Sequence, residues 1–346
     1  MAPLTFRPGA GAAPLAISVI VPTYDGERRL PVLLDHLAAQ DVEPTSFEVI
    51  VVDDGSKDGT AAMLAADTRP FRLHVISRAN AGRAAACNAG AAAAVAAVLL
   101  FLDDDMEPQP NCLRAHIRGH LGSTPLARMG AVPVAGPTTP AARFVAARFE
   151  RHMRTLAEAG APSGPREFYS GHLSLPGSLF DQAGGFDSTF RAYGNEDVDL
   201  YLRLRSLGAP ILFAADAVAV QRYDKDGRAL ISDAASKGRT CVQLAAKHPE
   251  AAADTRLATW SDATPRRIAL RRAGLDLIDH APWLLLPAAP VLATLERRSA
   301  PRLDSLYDLS IDVAFWHGVR VALRAEGAGR PDLPLISRRA AAGAAL

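Results

Sequence analysis

The chain has 346 residues, of which 49% are hydrophobic and 22% are charged, and its formal net charge is +1. This length supplies a buried core for one large domain or two ordinary ones, and the apolar content excludes a largely disordered chain. The near-neutral charge excludes a protein that works mainly by electrostatic attraction to nucleic acid, so no nucleic-acid partner is predicted.

The first hundred residues alternate between strand and helix patterns. Continuous apolar runs predict buried parallel strands, and leucines at helical spacing predict a helix between the first two strands. In chain order, the predicted strands are 16–23, 47–52, 72–76 and 97–102, and the predicted helices are 27–40, 58–66 and 81–95. This order predicts an α/β fold with a mostly parallel sheet flanked by helices.

From about residue 126 the pattern changes. The predicted helices here are 143–159, 196–207 and 232–248, and strands are predicted over 167–175 and 210–220. We expect one α/β domain over 16–250, in two parts that divide at residue 125, followed by a helical C-terminal extension over 251–326. The Ala-, Pro- and Gly-rich ends are predicted as a loose leader, 1–15, and a disordered tail, 327–346.

Two apolar segments, 84–102 and 280–295, resemble membrane spans. The first divides into a helix and a strand, and the second is interrupted by prolines and is shorter than the roughly 20 apolar residues of a span. We predict a cytoplasmic protein, with peripheral contact at the inner face of the plasma membrane kept open for the second segment. The three cysteines lack a C-x-x-C spacing, which is typical of free thiols and not of a disulfide framework or a zinc site.

The most informative motif is Asp103-Asp104-Asp105, which directly follows an apolar strand. Three adjacent carboxylates repel one another unless a cation compensates them, and Mg²⁺ or Mn²⁺ is commonly held by one or two carboxylates together with substrate phosphates. A solvated acidic loop is the alternative. Because ligands bind beyond the carboxyl ends of parallel strands, and Asp53-Asp54 ends a neighbouring strand, we favour a metal site.

Two further acidic motifs have a structural and a functional interpretation. Asp53 and Asp54 can accept hydrogen bonds from a base or ribose, or can form a turn and a helix cap. Glu196 and Asp197 begin a predicted helix, where capping is favourable, but a partly desolvated carboxylate there can also act as a general base. The sequence has no G-x-G-x-x-G, P-loop, H-E-x-x-H or G-x-S-x-G motif, which disfavours the corresponding enzyme classes.

Five sequence motifs, referred to below as the five strings, follow one another along the chain: VIVPTYDGERRLPVLLDHLAAQ, FEVIVVDDGSKDGT, NAGRAAACNAG, LLFLDDDMEP and GGFDSTFRAYGNEDVDLYLRLRSLG. Together they resemble the family 2 glycosyltransferases of the GT-A fold, over roughly residues 17–248. The resemblance implies an inverting, metal-dependent enzyme with a nucleotide-diphosphate sugar as donor. Residues 16–125 would bind the nucleotide sugar and residues 126–250 the acceptor.

The resemblance also implies roles for particular residues. The nucleotide-sugar-binding residues would be Pro22, Thr23, Tyr24, Asp53, Asp54, Arg83, Asp103 and Asp104. Asp103 and Asp105 match the outer residues of the DXD motif that holds Mg²⁺ or Mn²⁺. Asp197, with Glu196 beside it, matches the base that deprotonates the acceptor hydroxyl.

The match departs from the family pattern at the metal site. A His often completes this site after the base-bearing helix, but Gln221 stands at about that position, and its carbonyl oxygen is a weaker ligand. His172 lies on the strand that usually borders the acceptor and is predicted as an acceptor residue, with a core histidine as the alternative.

Other interpretations stay open at this stage. A nucleotide-sugar-binding protein with little or no catalysis is the main alternative, because of Gln221, and a sugar-nucleotide pyrophosphorylase is disfavoured because PTYDGE is not its Gly-rich basic loop. The acceptor could be a glycan, a lipid-linked carrier or a small molecule. The C-terminal helices could cover the acceptor site, form a homodimer or touch a membrane.

Overall fold

The computed structural model describes residues 15–136, 139–223, 225–280, 303–325 and 332–342, together with Thr294. Most of the predicted leader and of the segment 280–295 lies outside these residues. Among the described helices, none is both long and apolar enough to cross a bilayer.

A single eight-stranded sheet, in the order β3-β2-β1-β4-β7-β6-β8-β5, forms the centre of the fold. The three pairings among β1, β2, β3 and β4 are parallel, whereas β7 is antiparallel to both of its neighbours, β4 and β6. The strands are β1 (Ile17–Thr23), β2 (Phe47–Asp53), β3 (Arg72–Ser77), β4 (Val98–Leu102), β5 (Met106–Pro108), β6 (Ala127–Ala131), β7 (His172–Pro176) and β8 (Ile211–Gln221). The predicted α/β sheet is therefore confirmed.

Helices cover both faces of the sheet. They are α1 (Leu30–Ala38), α2 (Thr60–Ala65), α3 (Arg83–Ala93), α4 (Cys112–Gly119), α5 (Pro140–Ala159), α6 (Gly177–Gln182), α7 (Glu196–Ser206), α8 (Gly227–Lys247), α9 (Pro265–His280), α10 (Leu303–Ala325) and α11 (Leu333–Ala341). Alternate residues of β1 face opposite layers: Val19 packs in the layer of α1, and Ile20 in the layer of α3, α6 and α7. Every residue of β1 and β2 is buried, as their continuous apolar runs predict.

The C-terminal helices form a second core against α8. Trp260 and Trp316 meet edge to face at 4.8 Å, and Arg271 lies over Trp260 while it donates to Asp312 at 2.6 Å. Part of the predicted disordered tail is helical, which corrects the prediction for that stretch. Leu333 of α11 is buried in this core, because its apolar side faces the tryptophan cluster.

Helices α8 and α10 approach each other closely through two glycines. A methyl group on Gly238 would lie 2.0 Å from the Phe315 carbonyl oxygen, and one on Gly318 would lie 2.0 Å from the Ala235 carbonyl oxygen. Because the neighbouring atoms are backbone and not flexible side chains, the helices can only respond by moving apart.

We expect Gly318→Ala to destabilise the fold by about 2–3 kcal/mol, the usual range for overpacking a tight contact. Thermal unfolding should show a lower Tm. Gly122→Ala is the matched control, because nothing lies within 4 Å of the added methyl group. An unchanged Tm for Gly318→Ala would contradict the close approach of the two helices.

Candidate active site

The loops that follow β1 and β2 are tied to each other. Asp25 accepts a hydrogen bond from the Lys57 amide at 2.7 Å, and its own amide donates to the Ser56 hydroxyl at 2.9 Å. The Asp53 carboxylate accepts from the Ser56 amide at 2.9 Å and from its hydroxyl at 2.5 Å. One oxygen of Asp53 therefore stabilises the turn, which was the structural alternative for this residue.

Asp54 organises the loop before α3. Its carboxylate accepts from the amides of Ala81 at 3.1 Å and Gly82 at 2.8 Å, and it pairs with Arg78 at 3.2 Å. These contacts fix the start of α3, where Arg83 is the first residue.

The middle aspartate of the DXD motif faces inward. Asp104 accepts from the Thr23 hydroxyl at 2.6 Å and from Arg29 at 3.0 Å, so both of its oxygens join the motif to the end of β1. Pro22 is buried within β1, whereas Tyr24 at the strand end is 40% exposed. Of the residues predicted to line the base pocket, Tyr24 is the one that presents its ring to solvent.

Arg83 connects the DXD motif to the start of α7. Its guanidinium donates to Asp103 at 2.8 Å and to the Ser170 hydroxyl at 2.9 Å, and it lies 3.8 Å from Glu196. A methyl group on Gly171 would lie 2.2 Å from the Asp103 carboxylate, so glycine makes room for that side chain. Asp103 and Glu196, which belong to motifs far apart in the sequence, therefore both lie beside the positively charged guanidinium of Arg83.

Asp105 and Gln221 form the best-fitting place for a divalent cation. The Gln221 amide donates to Asp105 at 3.0 Å, and among the described residues neither the other Asp105 oxygen nor the Gln221 carbonyl oxygen has a hydrogen-bond partner, although both are buried. Burial, with Asp103 and Asp104 nearby, raises the pKa of Asp105 to about 7. Two buried oxygen acceptors without donors fit a hard cation such as Mg²⁺ or Mn²⁺.

The backbone before α7 is held by α8. Gly194 has φ +101°, and Asn195 has φ 69°, a left-handed conformation that is uncommon outside glycine. The Asn195 amide donates to the Lys237 carbonyl at 3.0 Å and to Thr240 at 2.7 Å, and the Gly194 amide donates to Glu196 at 3.1 Å. Glu196 thus closes this turn, as the capping interpretation expects.

Asp197 is half-buried at the start of α7, and one of its oxygens accepts from the Val198 amide at 2.8 Å. Burial raises the pKa of Asp197, and the positive charge of Lys237 partly offsets this rise. A carboxylate with a raised pKa is a stronger base than an ordinary aspartate, which suits proton abstraction from a hydroxyl.

Sequence reasoning missed two lysines beside these carboxylates. Lys225 and Lys237 lie over the ring of Tyr193 at 4.8 and 5.2 Å, and Lys225 also donates to Asp233 at 2.7 Å. The signal that could have identified them is the rarity of lysine in this chain, since only four of the 38 basic residues are lysines. They add positive charge next to Asp105 and Asp197.

His172 does not reach the cleft, which corrects its prediction as an acceptor residue. Its side chain is 0% exposed and lies 2.9 Å from His116 and 3.3 Å from the Ala131 carbonyl oxygen. The pleat turns it toward α4, so the core alternative is the one observed.

The fold is that of a solved glycosyltransferase. A mannosyltransferase from Pyrobaculum calidifontis, in complex with GDP-Man and Mn²⁺, matches with a TM-score of 0.59 and 23% identity, over 92% of this chain and 91% of that chain. This likeness shows the fold, and the chain therefore has the predicted GT-A architecture.

Sequence comparison gives the family. The model described as "Glycosyl transferase family 2" matches residues 18–151, and "N-terminal domain of galactosyltransferase" matches residues 150–226. Residues 18–151 therefore match glycosyltransferase family 2, which confirms the resemblance predicted from the five strings.

Two curated relatives differ in how much of the chain they match. Validoxylamine A glucosyltransferase from Streptomyces hygroscopicus subsp. limoneus is 28% identical over 70% of this chain, and the match spans 59% of that relative. An undecaprenyl-phosphate 4-deoxy-4-formamido-L-arabinose transferase from Pectobacterium carotovorum is 38% identical over 27% of this chain and 30% of its own length. The matches therefore span less than two thirds of these relatives.

Proposed function

We propose that this protein transfers a sugar from a nucleotide-diphosphate sugar to an acceptor hydroxyl, with inversion at the anomeric carbon. The observation that carries the proposal is the pair of buried oxygens on Asp105 and Gln221 that have no hydrogen-bond partner among the described residues. Asp103 and Arg83 connect them to the acidic start of α7. A cation held there and a base on α7 would supply the two groups that an inverting displacement uses.

The metal would be Mg²⁺ or Mn²⁺, held by Asp103, Asp105 and the carbonyl oxygen of Gln221. When bound, it supplies positive charge to the departing diphosphate. Arg83, which pairs with Asp103, would contact the donor, and Tyr24, Asp53 and Asp54 would bind its nucleotide. The Mn²⁺ in the similar mannosyltransferase supports this assignment.

Asp197 would remove the proton from the acceptor hydroxyl as that oxygen attacks the anomeric carbon. Glu196 fixes the turn that presents Asp197, and the charge of Lys237 opposes the rise that burial causes in the pKa of Asp197. Inversion requires the base and the leaving diphosphate to lie on opposite sides of the sugar.

Names of relatives support more than one kind of acceptor. A glucosyltransferase named for validoxylamine A favours a small molecule, whereas a transferase named for undecaprenyl phosphate favours a lipid-linked acceptor. A glycan acceptor, a homodimer, a cytoplasmic location and peripheral membrane contact remain predictions from the sequence.

The proposal is tested by thermal unfolding with UDP, GDP, dTDP and CDP, each with and without Mn²⁺, followed by transfer from the corresponding labelled sugars. A nucleotide at 100 times its Kd stabilises the fold by about 2.7 kcal/mol, and the stabilisation should require Mn²⁺. Binding without turnover for every donor would instead support a nucleotide-sugar-binding protein, and no binding at all would contradict both functions.

We expect Lys237→Met to shift the acid limb of the pH–rate profile to higher pH. Asp197 acts as a base only when ionised, so activity falls as the pH drops through its pKa. Removing the Lys237 charge takes away an influence that lowers this pKa. Lys57→Met is the control, because its side chain is exposed and distant in the chain; an acid limb that stays in place in Lys237→Met would refute the coupling.

A further inference from the structure

A cluster of nitrogen and sulfur ligands lies in the core between α4 and β7, outside the cleft. Cys112 and His116 are four residues apart on α4, so they share one face of the helix, and His172 of β7 faces them. The ligand atoms of all three lie within 4.8 Å of one another, and all three side chains are 0% exposed. No step of the proposed transfer uses them.

The two imidazoles are oriented as metal ligands usually are. Nδ1 of His172 lies 3.3 Å from the Ala131 carbonyl oxygen, and Nδ1 of His116 lies 2.7 Å from the Ser174 hydroxyl. In protein metal sites the second ring nitrogen is commonly held by such an acceptor, which fixes the ring and leaves the first nitrogen for the metal. Here both Nε2 atoms point at each other, 2.9 Å apart.

The thiol completes the set. Cys112 Sγ lies 3.4 Å from Nε2 of His172. A metal binds the neutral form of imidazole and the thiolate form of cysteine, so the thiol gives up its proton when the cation binds.

We propose that Cys112, His116 and His172 bind a Zn²⁺ ion that joins α4 to β7. One thiolate and two imidazoles supply three of the four ligands of a tetrahedral zinc site. Binding releases one proton, that of the thiol, to solvent, and both imidazoles remain neutral. The absence of a C-x-x-C spacing excludes only sites built on cysteine pairs.

The position of this ion gives it a structural role beneath the active site. His172 pairs with Leu102 in the sheet, and the preceding Gly171 carbonyl accepts from the Asp103 amide at 2.9 Å. An ion on His172 therefore holds the strand that supports the DXD motif. The inference does not depend on the proposed function, because its measurements are metal content, absorbance and thermal stability.

The test begins with the full-length protein, loaded by expression in medium supplemented with ZnCl₂ so that it folds in the presence of the metal, and then dialysed against EDTA. Because the three side chains are sealed from solvent, we expect elemental mass spectrometry to find about one zinc per chain after dialysis. Removing this zinc with a strong chelator and mild heating should then lower the Tm of the protein. Loading with Co²⁺ should give the near-ultraviolet band of a thiolate ligand. A zinc content near zero in the loaded wild-type protein overturns the proposal without any variant.

Variants then assign the ligands. Cys112→Ser should lose the thiolate band and retain less than a tenth of the zinc, and His116→Gln should also lose zinc. Cys87→Ser is the matched control, because it removes another buried thiol, and it should keep the zinc. Asp105→Asn should keep it too, which separates this ion from one at the DXD motif. Retention by Cys112→Ser would overturn the assignment.

Discussion

Asp197→Asn is expected to lower kcat for sugar transfer by about 10²–10⁴-fold, the range that a positioned general base contributes. Asparagine has the same shape and can still accept the hydrogen bond from the Val198 amide. It cannot take a proton from the acceptor. Binding of the nucleotide with Mn²⁺, measured by calorimetry, should be unchanged, because the carboxylate acts on the acceptor side.

Two comparisons make this result specific to the base. Asp181→Asn removes an exposed carboxylate on α6 and should leave kcat unchanged. The residual activity of Asp197→Asn should also lose the acid limb of the pH–rate profile. Transfer by Asp197→Asn within a factor of ten of the wild-type rate would remove Asp197 from the mechanism.

Asp105→Asn is expected to abolish metal-dependent binding of the donor and to lower transfer by at least about 100-fold, since a bound cation supplies several kcal/mol of charge stabilisation. The same substitution should raise the Tm of the metal-free protein. Asp105 is buried beside two other carboxylates, and this repulsion disappears with the charge. Asparagine still accepts from the Gln221 amide, so the hydrogen bond is retained.

Asp103→Asn is the informative control for stability. Asp103 forms an ion pair with Arg83 at 2.8 Å, so its substitution should lower the Tm in the absence of metal, opposite to Asp105→Asn. Both should weaken transfer. If Asp105→Asn bound Mn²⁺ and nucleotide as the wild-type protein does, the metal would have to be held elsewhere.

Local sequence patterns predicted much of the fold. Continuous apolar runs identified β1 and β2, because strands buried on both faces need apolar side chains on both. Five elements were missed. β5 has only three residues, β6 is a short run without β-branched residues, α4 alternates basic and apolar residues, and the short helices α6 and α11 were not predicted either. The two missed strands form by pairing with β8 and β7, which no local pattern contains.

The candidate site, too, was only partly predictable from local sequence patterns. Asp104 contacts Thr23 at the end of β1, a proximity that follows from the neighbouring carboxyl ends of parallel strands. The prediction for His172 was wrong because the sequence alone does not show which face of the strand a residue lies on. The pairing of β7 with β4 decides this, and in it His172 lies opposite Leu102. Lys237 could not be connected to Asp197, since the two meet only through the packing of α8 on the turn before α7.

The glycine contact between α8 and α10 limits how this protein can be divided. Gly238 allows α10 to pack closely and is adjacent to Lys237. The backbone carbonyl of Lys237 accepts a hydrogen bond from the side chain of Asn195, and the charge of Lys237 lowers the pKa of Asp197. The family resemblance ends near residue 248, yet a chain shortened there would expose the apolar back of α8, the helix that holds the turn before α7. We therefore expect the smallest unit able to carry out the proposed transfer to include α10, and modular exchange between relatives would have to move this helix together with the domain it supports.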